Sequence, residues 1–207
     1  MAEAPVVVGV ADHRGWAVLV SVGERHRTPV VVDRRRVDLV DSELSSQPHH
    51  HEGAELGLEA AEELIGRVAA SVALHARNAL SDLAGSLQPD ARLVGIALEE
   101  LPAIPATLAE VLASQKAMID ADGAMYRGAL RDAARELGLE IAVHPRRREL
   151  ADAAAALGAS AEQLEQLLRH LGRNLGPPWR KEHRTAAAAA ITTLAHHTRL
   201  EAGGAVG

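Results

Sequence analysis

The order of apolar and amphipathic segments constrains this chain more than any other feature of its sequence. Apolar runs rich in Val fill the first 41 residues, over 5–12, 16–22 and 29–41, with only short polar turns between them. Runs of this length bounded by turn residues are typical of β-strands. Because strands joined by short turns pair in an antiparallel manner, the chain is predicted to begin with a three-stranded antiparallel meander.

After these strands, helical and extended patterns alternate. Apolar residues recur at helical spacing over 54–83 and 107–137, which predicts two long helices, and Gly138 is predicted to end the second. Short apolar segments at 92–98 and 139–144 predict two further strands. A helix between successive strands implies parallel pairing through right-handed crossovers. These late strands are therefore predicted to extend the meander into a mixed five-stranded sheet.

The last third of the chain is predicted to be helical. One helix is expected over 149–157, and Ser160 with Gln163 forms the capping-box pattern that opens another. Two adjacent prolines at 177–178 must interrupt the pattern, so a final helix is predicted from near Trp179 to about residue 200. The prediction is one α/β domain over residues 1–200, in the order β-β-β-α-β-α-β-α, followed by a flexible tail at 201–207.

The composition excludes several kinds of site. The chain has no Cys, which excludes disulfides, a thiolate nucleophile and Cys-ligated metals. Any metal must therefore be bound by His and carboxylates. The formal net charge of −6 argues against a nucleic-acid coat protein, because phosphate binding draws on Lys and Arg. The candidates for a local basic rim are Arg34-Arg35-Arg36, Arg146-Arg147-Arg148 and Arg180-Lys181, although a solvated surface is the simpler interpretation of any one of them.

The distribution of apolar residues also bears on location. No segment approaches the roughly 20 apolar residues that cross a bilayer, and the N-terminus lacks the pattern of a signal peptide. We therefore expect a cytoplasmic protein without a membrane partner.

Three segments resemble the RuvC-like branch of the ribonuclease H-like superfamily. Gly9-Val10-Ala11-Asp12, followed by Gly15-Trp16-Ala17-Val18, is similar to the first strand, acidic residue, loop and second strand of that group. Ile96-Ala97-Leu98-Glu99-Glu100 is similar to its fourth strand, which ends in glutamate. Lys181-Glu182-His183-Arg184-Thr185, before an Ala-rich stretch, is similar to its final helix. The order of these segments implies the ribonuclease H-like fold.

The resemblance also implies an activity. Members that cut nucleic acid bind two divalent cations, Mg²⁺ or Mn²⁺, through carboxylates of strand one, strand four and the last helix. The matching metal ligands are Asp12, Glu99 and Glu182, and Glu100 and His183 are alternative catalytic residues. One ion prepares a water for in-line attack and the other stabilises the departing oxygen. The implied function is a metal-dependent nuclease or resolvase-like phosphodiesterase that acts on structured or branched nucleic acid.

Two positions depart from the family pattern. Ala11 stands where the acid normally follows the glycine and its apolar neighbour, and Asp12 comes one residue later; on a strand, a shift of one residue reverses the face. A second acid one turn after Glu182 is missing, because Ala186 and Ala187 fill those positions. The alternative function is therefore a catalytically inactive binding or assembly module with the same fold.

The densest group of other potential ligands is His49-His50-His51-Glu52. Residues of an extended segment point alternately to two sides, so His49 and His51, with Glu52 nearby, could share a zinc, nickel or manganese ion. A polar loop that leads into the first long helix explains the same residues.

Two features of the later helices complete the predictions. Asp120 and Asp122, near Lys116 and Tyr126, either line a pocket over the second long helix or lie on a solvated helix surface, and we predict the solvated surface. The last helix carries small residues on several faces, which allows it to pack on the sheet or on a second copy of the chain, so a homodimer is possible.

Overall fold

A mixed five-stranded sheet forms the centre of the computed structural model, which describes residues 3–204. The strands are β1 (Ala4–Asp12), β2 (Trp16–Arg25), β3 (Thr28–Asp38), β4 (Ala91–Glu99) and β5 (Glu140–His144). Their order across the sheet is β3-β2-β1-β4-β5. β1–β2 and β2–β3 pair antiparallel, whereas β1–β4 and β4–β5 pair parallel. The predicted sheet of five strands is confirmed, as are the antiparallel and parallel directions of its strand pairs.

Helices cover both faces of this sheet. They are α1 (Glu52–Glu55), α2 (Leu58–Ser86), α3 (Leu108–Leu112), α4 (Gln115–Glu136), α5 (Glu149–Leu157), α6 (Ala161–Leu175) and α7 (Lys181–Gly204). One apolar core lies between the sheet and the pair α2 and α4. A second lies between the sheet and α5, α6 and α7. None of the described helices is long and apolar enough to cross a bilayer.

The helix boundaries differ from the predictions at three places. The predicted helix at 54–83 is divided by Gly57, whose extended backbone separates α1 from α2. The predicted helix at 107–137 is divided at Ser114, because the Ser114 hydroxyl accepts the Ala117 N–H and so starts α4. α7 continues through Gly204, which includes part of the predicted tail; residues 205–207 lie outside the described residues.

The turn between β2 and β3 is shorter than predicted. The sequence predicts a loop over 23–28, but β2 continues to Arg25 and β3 begins at Thr28. His26 and Arg27 alone make the turn, with φ of 50° and 62°. This left-handed geometry suits the twist of a two-residue hairpin, although neither residue is the glycine or asparagine that usually reveals it.

The two faces of β1 decide where its side chains lie. Val6, Val8 and Val10 belong to the core beneath α2 and α4, whereas Val7 belongs to the core beneath α7. At Gly9, a Cβ atom would lie 1.8 Å from the carbonyl oxygen of Ala186 in α7. The backbone of α7 therefore rests directly on β1, and its alanines over 186–190 are buried within the chain.

Candidate functional site

Asp12 ends β1 on the face that carries α2 and α4. It follows Val10 by two residues, and strand alternation places both on the same face. Its carboxylate accepts from Arg127 of α4, whose Nε lies 3.0 Å from both Oδ1 and Oδ2. Ala11 instead packs against the core beneath α7. The one-residue shift seen in the sequence therefore places the acid on the face opposite α7.

Arg127 also reaches the end of β4. Its Nη2 lies 3.2 Å from Oε1 of Glu99, and its Nη1 donates to the carbonyl oxygen of Glu100 at 2.8 Å. The side chains of Arg127, Asp12 and Glu99 are only 16%, 10% and 21% exposed. One guanidinium therefore joins the carboxyl ends of two neighbouring parallel strands in a largely desolvated place.

The electrostatics of this cluster centre on Glu99. Burial raises the pKa of Glu99, and the nearby charge of Asp12 adds to the rise, while Arg127 opposes it. The net effect is a pKa above the ordinary value of the carboxyl group. Because a guanidinium stays charged at any physiological pH, the cluster holds one permanent positive charge between two carboxyl groups.

The cluster forms the floor of a cleft of about 630 Å³ at the carboxyl ends of β1 and β4. Arg14 and Arg146 lie on its rim together with Glu100 and Asp120. The carboxyl ends of parallel strands are the usual location of ligand sites in α/β sheets. The polar groups of this cleft are of both signs, so its lining does not by itself select an anion or a cation.

Glu182 and His183 lie in a different cleft. This second cleft, of about 390 Å³, is lined by Trp16, Val18, Arg36, Pro178, Arg180, Glu182 and His183, and we call it the Trp16 cleft. It lies between the β2–β3 side of the sheet and the start of α7. The structure therefore brings Asp12 and Glu99 together but separates them from Glu182 and His183.

His183 is held firmly within the Trp16 cleft. It is 7% exposed, and its Nδ1 accepts the backbone N–H of Arg180 at 3.2 Å. Burial, followed by the positive charge of Arg34, lowers the pKa of His183. The imidazole is therefore neutral at pH 7, with its remaining proton on Nε2.

These positions do not fit a centre for two magnesium ions. Asp12 and Glu99 both face the guanidinium of Arg127, and Glu182 lines another cleft. Within the described part of the chain, no group of three His, Cys, Asp or Glu side chains is arranged to hold a metal ion. The residues that the resemblance implies as ligands thus form an ion-pair cluster and a separate helix terminus.

The predicted metal site at His49, His51 and Glu52 is resolved into separate contacts. His49 is buried, and its Nδ1 lies 2.7 Å from Oδ1 of Asp122 in α4. Glu52 accepts from the hydroxyl of Ser45, and His51 is exposed. The prediction of a polar loop that leads into the helix describes these residues better than a shared ion.

Asp122 is the residue that anchors this loop, and its predicted place on a solvated surface is wrong. Its side chain is 0% exposed, and it also accepts the backbone N–H groups of His49 at 3.0 Å and His50 at 3.3 Å. Its spacing from the buried Tyr126 and Leu130 of the same helix is four and eight residues. That spacing is the signal that could have placed Asp122 on the buried face.

Two solved structures are similar to the chain over almost its whole length. The structure of Thermus thermophilus RuvC matches with a TM-score of 0.52 and 18% identity, covering 94% of this chain and 96% of RuvC. The chain has a RuvC-like, ribonuclease H-like fold. T. thermophilus RuvC in complex with a Holliday junction substrate matches with a TM-score of 0.52, 15% identity and coverage of 94% and 95%. No protein-family model and no curated protein sequence matches the chain.

The RuvC-like fold confirms the resemblance that three segments carry in the sequence. Within that fold, Arg127 is the residue of the candidate site that sequence reasoning missed. It lies 115 residues from Asp12 along the chain, on a helix with two other arginines, Arg131 and Arg135, and no local pattern distinguishes it from them.

Proposed function

We propose that this chain is a non-catalytic binding module with the RuvC-like fold, and that it binds structured or branched nucleic acid without cutting it. The observation that carries the proposal is the guanidinium of Arg127 between the carboxyl groups of Asp12 and Glu99. Metal-dependent cleavage would require these carboxyl groups to coordinate divalent cations. Here both carboxyl groups already face the guanidinium of Arg127.

Admitting a metal ion would carry an energetic cost. Arg127 would have to give up its contacts with Asp12, Glu99 and the carbonyl oxygen of Glu100. Hydrogen bonds to charged groups contribute about 1.5–3 kcal/mol each. The third expected ligand, Glu182, would in addition have to come from another cleft.

Nucleic acid is the partner that the fold and the surface charges support. A RuvC structure of the same fold contains a Holliday junction substrate. In this chain, Arg36 and Arg180 line a cleft beside the Arg34–Arg36 strand, and Arg14 and Arg146 line the rim of the other. Local arginine clusters of this kind can bind phosphates although the net charge of the chain is −6.

A metal-dependent nuclease is the second candidate, and one observation favours it. Asp12 and Glu99 do meet at the carboxyl ends of β1 and β4, as the resemblance implies. In this alternative, Arg127 would move away when nucleic acid and Mg²⁺ or Mn²⁺ bind, and Glu182 or Glu100 would complete the ligand set.

The two candidates are separated by measuring binding and cleavage in the same samples. Fluorescein-labelled four-way DNA junction, linear duplex and single strand are titrated with the protein in Mg²⁺ or Mn²⁺, followed by anisotropy and by denaturing gels. We expect binding of the junction that weakens with salt, and intact strands after prolonged incubation. Cleavage that Asp12→Asn and Glu99→Gln abolish, but the rim variant Asp120→Asn does not, would establish the nuclease instead. Absence of binding to all three probes would overturn the binding module.

A further inference from the structure

The Trp16 cleft has the features of a built site rather than of an incidental surface depression. Its two walls come from distant parts of the chain, with Trp16, Val18 and Arg36 on the sheet and Pro178, Arg180 and His183 at the start of α7. Its volume of about 390 Å³ lies at the lower end of the range for small-ligand pockets. It is large enough for one nucleotide.

We propose that the Trp16 cleft holds a phosphate group of the bound nucleic acid, between the guanidinium groups of Arg36 and Arg180 and the Nε2–H group of His183. This inference rests on the proposed function, because it names the surface through which the module binds nucleic acid. It assigns that surface to the start of α7 and not to the cleft above Arg127.

His183 lines the cleft and provides a donor that the protein itself does not use. Its Nδ1 accepts from the N–H of Arg180, so the neutral ring carries its proton on Nε2. No described residue accepts a hydrogen bond from Nε2, and His183 as a whole is 7% exposed. A donor on the wall of the cleft that no protein group uses can bind a phosphate oxygen there.

Arg36 is oriented before any ligand arrives. Its guanidinium carbon lies 4.7 Å above the ring of Trp16, and His13 stacks on the same ring at 4.0 Å with an interplanar angle of 13°. Nη1 of Arg36 forms an ion pair with Oδ1 of Asp38 at 2.8 Å, and the Arg36 side chain is 56% exposed. A guanidinium fixed by stacking and still exposed keeps N–H donors for a phosphate.

The opposite wall is fixed by Arg34. Its Nη1 donates to the carbonyl oxygen of Gly176 at 2.9 Å and to that of Pro178 at 2.5 Å. These bonds tie the loop before α7 to β3, so that Arg180 stays opposite Arg36. Arg180 is exposed and forms no ion pair within the described residues. Its positive charge is therefore available to a ligand.

Glu182 allows a test in which a substitution should strengthen the binding of nucleic acid instead of weakening it. Its carboxylate lines the same cleft and would repel a phosphate there. Glu182→Gln should consequently strengthen binding by about twofold at low salt, whereas loss of either arginine should weaken it. A role of these residues in stability alone would not produce opposite changes in affinity.

The experiment measures binding of a labelled four-way DNA junction to the wild type and variants over a series of salt concentrations. Arg36→Ala and Arg180→Ala should each weaken binding about fivefold to tenfold and lower the slope of log Kobs against log salt by about one. The matched control is Arg67→Ala, which removes an exposed arginine from α2 on the other face of the sheet. Thermal melting of each variant verifies that it is folded; the Arg180 side chain makes no described contact whose loss would unfold the chain.

The outcomes separate the two proposals. If the wild type binds and both arginine variants behave like Arg67→Ala, the Trp16 cleft is not the phosphate site, while the proposed function stands. If both variants lose affinity and slope and Glu182→Gln gains affinity, the site is established. If the wild type does not bind the junction at any salt concentration, the proposed function and this site fail together.

Discussion

Replacing Arg127 by Met tests the ion-pair cluster most directly. Met keeps an unbranched side chain of similar reach but removes the charge and all N–H donors. In the variant, Asp12 and Glu99 would be two neighbouring carboxyl groups, 10% and 21% exposed, without the guanidinium that lies between them. We expect a clear loss of stability near neutral pH.

The size of this loss follows from the burial of the three side chains. Breaking a buried ion pair costs about 3–5 kcal/mol, because the remaining charge is left uncompensated, whereas an exposed pair contributes about 0–1 kcal/mol. Since Arg127 is 16% exposed, the lower end of the first range applies, or about 3 kcal/mol. For a chain of 207 residues, this corresponds to a decrease in Tm of roughly 6–12 °C.

The loss should depend on pH in a defined direction. Burial already raises the pKa of Glu99, and Arg127 opposes this rise more strongly than Arg146 does. Without Arg127, that pKa rises further, so the folded variant binds a proton more readily than the unfolded chain. Stability of the variant therefore increases as pH falls from 8 toward 5, and its deficit relative to the wild type becomes smaller.

Urea denaturation at pH 5 and pH 8 measures both quantities. The matched control is Arg135→Met on the same helix, because Arg135 pairs with Asp132 at 2.6 Å while both side chains are more than half exposed. We expect the control to change stability by less than about 1 kcal/mol at either pH. A deficit for Arg127→Met no larger than that of the control, or one that does not shrink at pH 5, would refute the assignment of Arg127 as an internal counter-ion.

Three further predictions address other parts of the structure. In urea denaturation, Glu99→Gln should be as stable as the wild type at pH 5 and more stable at pH 8, because the raised pKa of Glu99 means that its charged form is disfavoured in the fold. A loss of stability at pH 8 would show that the ion pair with Arg127 outweighs the cost of burying Glu99. Gly9→Ala should lower the free energy of unfolding by about 3 kcal/mol in thermal melts, because its Cβ would collide with the backbone of α7. The control is Gly66→Ala, in open space on α2, which should raise the free energy of unfolding by about 0.5–1 kcal/mol. Asp122→Ala should lower the free energy of unfolding by about 3 kcal/mol and expose the loop after β3 to limited proteolysis, because three donors lose their acceptor. The control is Asp120→Ala, which removes the ion pair with Lys116. Equal cleavage of both variants would contradict the anchoring role of Asp122.

The sheet could be predicted because its signals are local and repeated. The Val-rich runs of β1 and β2 and the apolar segment of β4 are short, bounded by turn residues and separated by clear helical periods. Parallel or antiparallel pairing then follows from what lies between two strands. The misplaced boundaries have the opposite character. At Ser114, a single hydroxyl decides the helix start, and at His26 and Arg27 the backbone adopts a left-handed turn without its usual residues.

The site could be predicted only in part, for a physical reason. The reversed face of Asp12 follows from strand alternation once the register of β1 is known, and the sequence already contains the shift. The sequence does not predict that Arg127 is the partner of Asp12, because the packing of α4 on the sheet brings the two side chains together. The separation of Glu182 from Glu99 likewise depends on where α7 begins over the sheet, which no periodicity specifies.

One electrostatic arrangement links three features of the chain. They are the shift of the acid from position 11 to position 12, the guanidinium of Arg127 and the alanines of α7. With the backbone of α7 resting on Gly9, a carboxylate at position 11 would lie between β1 and α7, where a cation would be needed to balance it. Ala11 removes that charge, and Ala186 and Ala187 provide no second acid from α7. Moving the acid to position 12 places it where Arg127 can neutralise it from the other face. The guanidinium of Arg127 thus lies between the carboxyl groups at the ends of β1 and β4, which supports the proposed binding module over a two-metal nuclease.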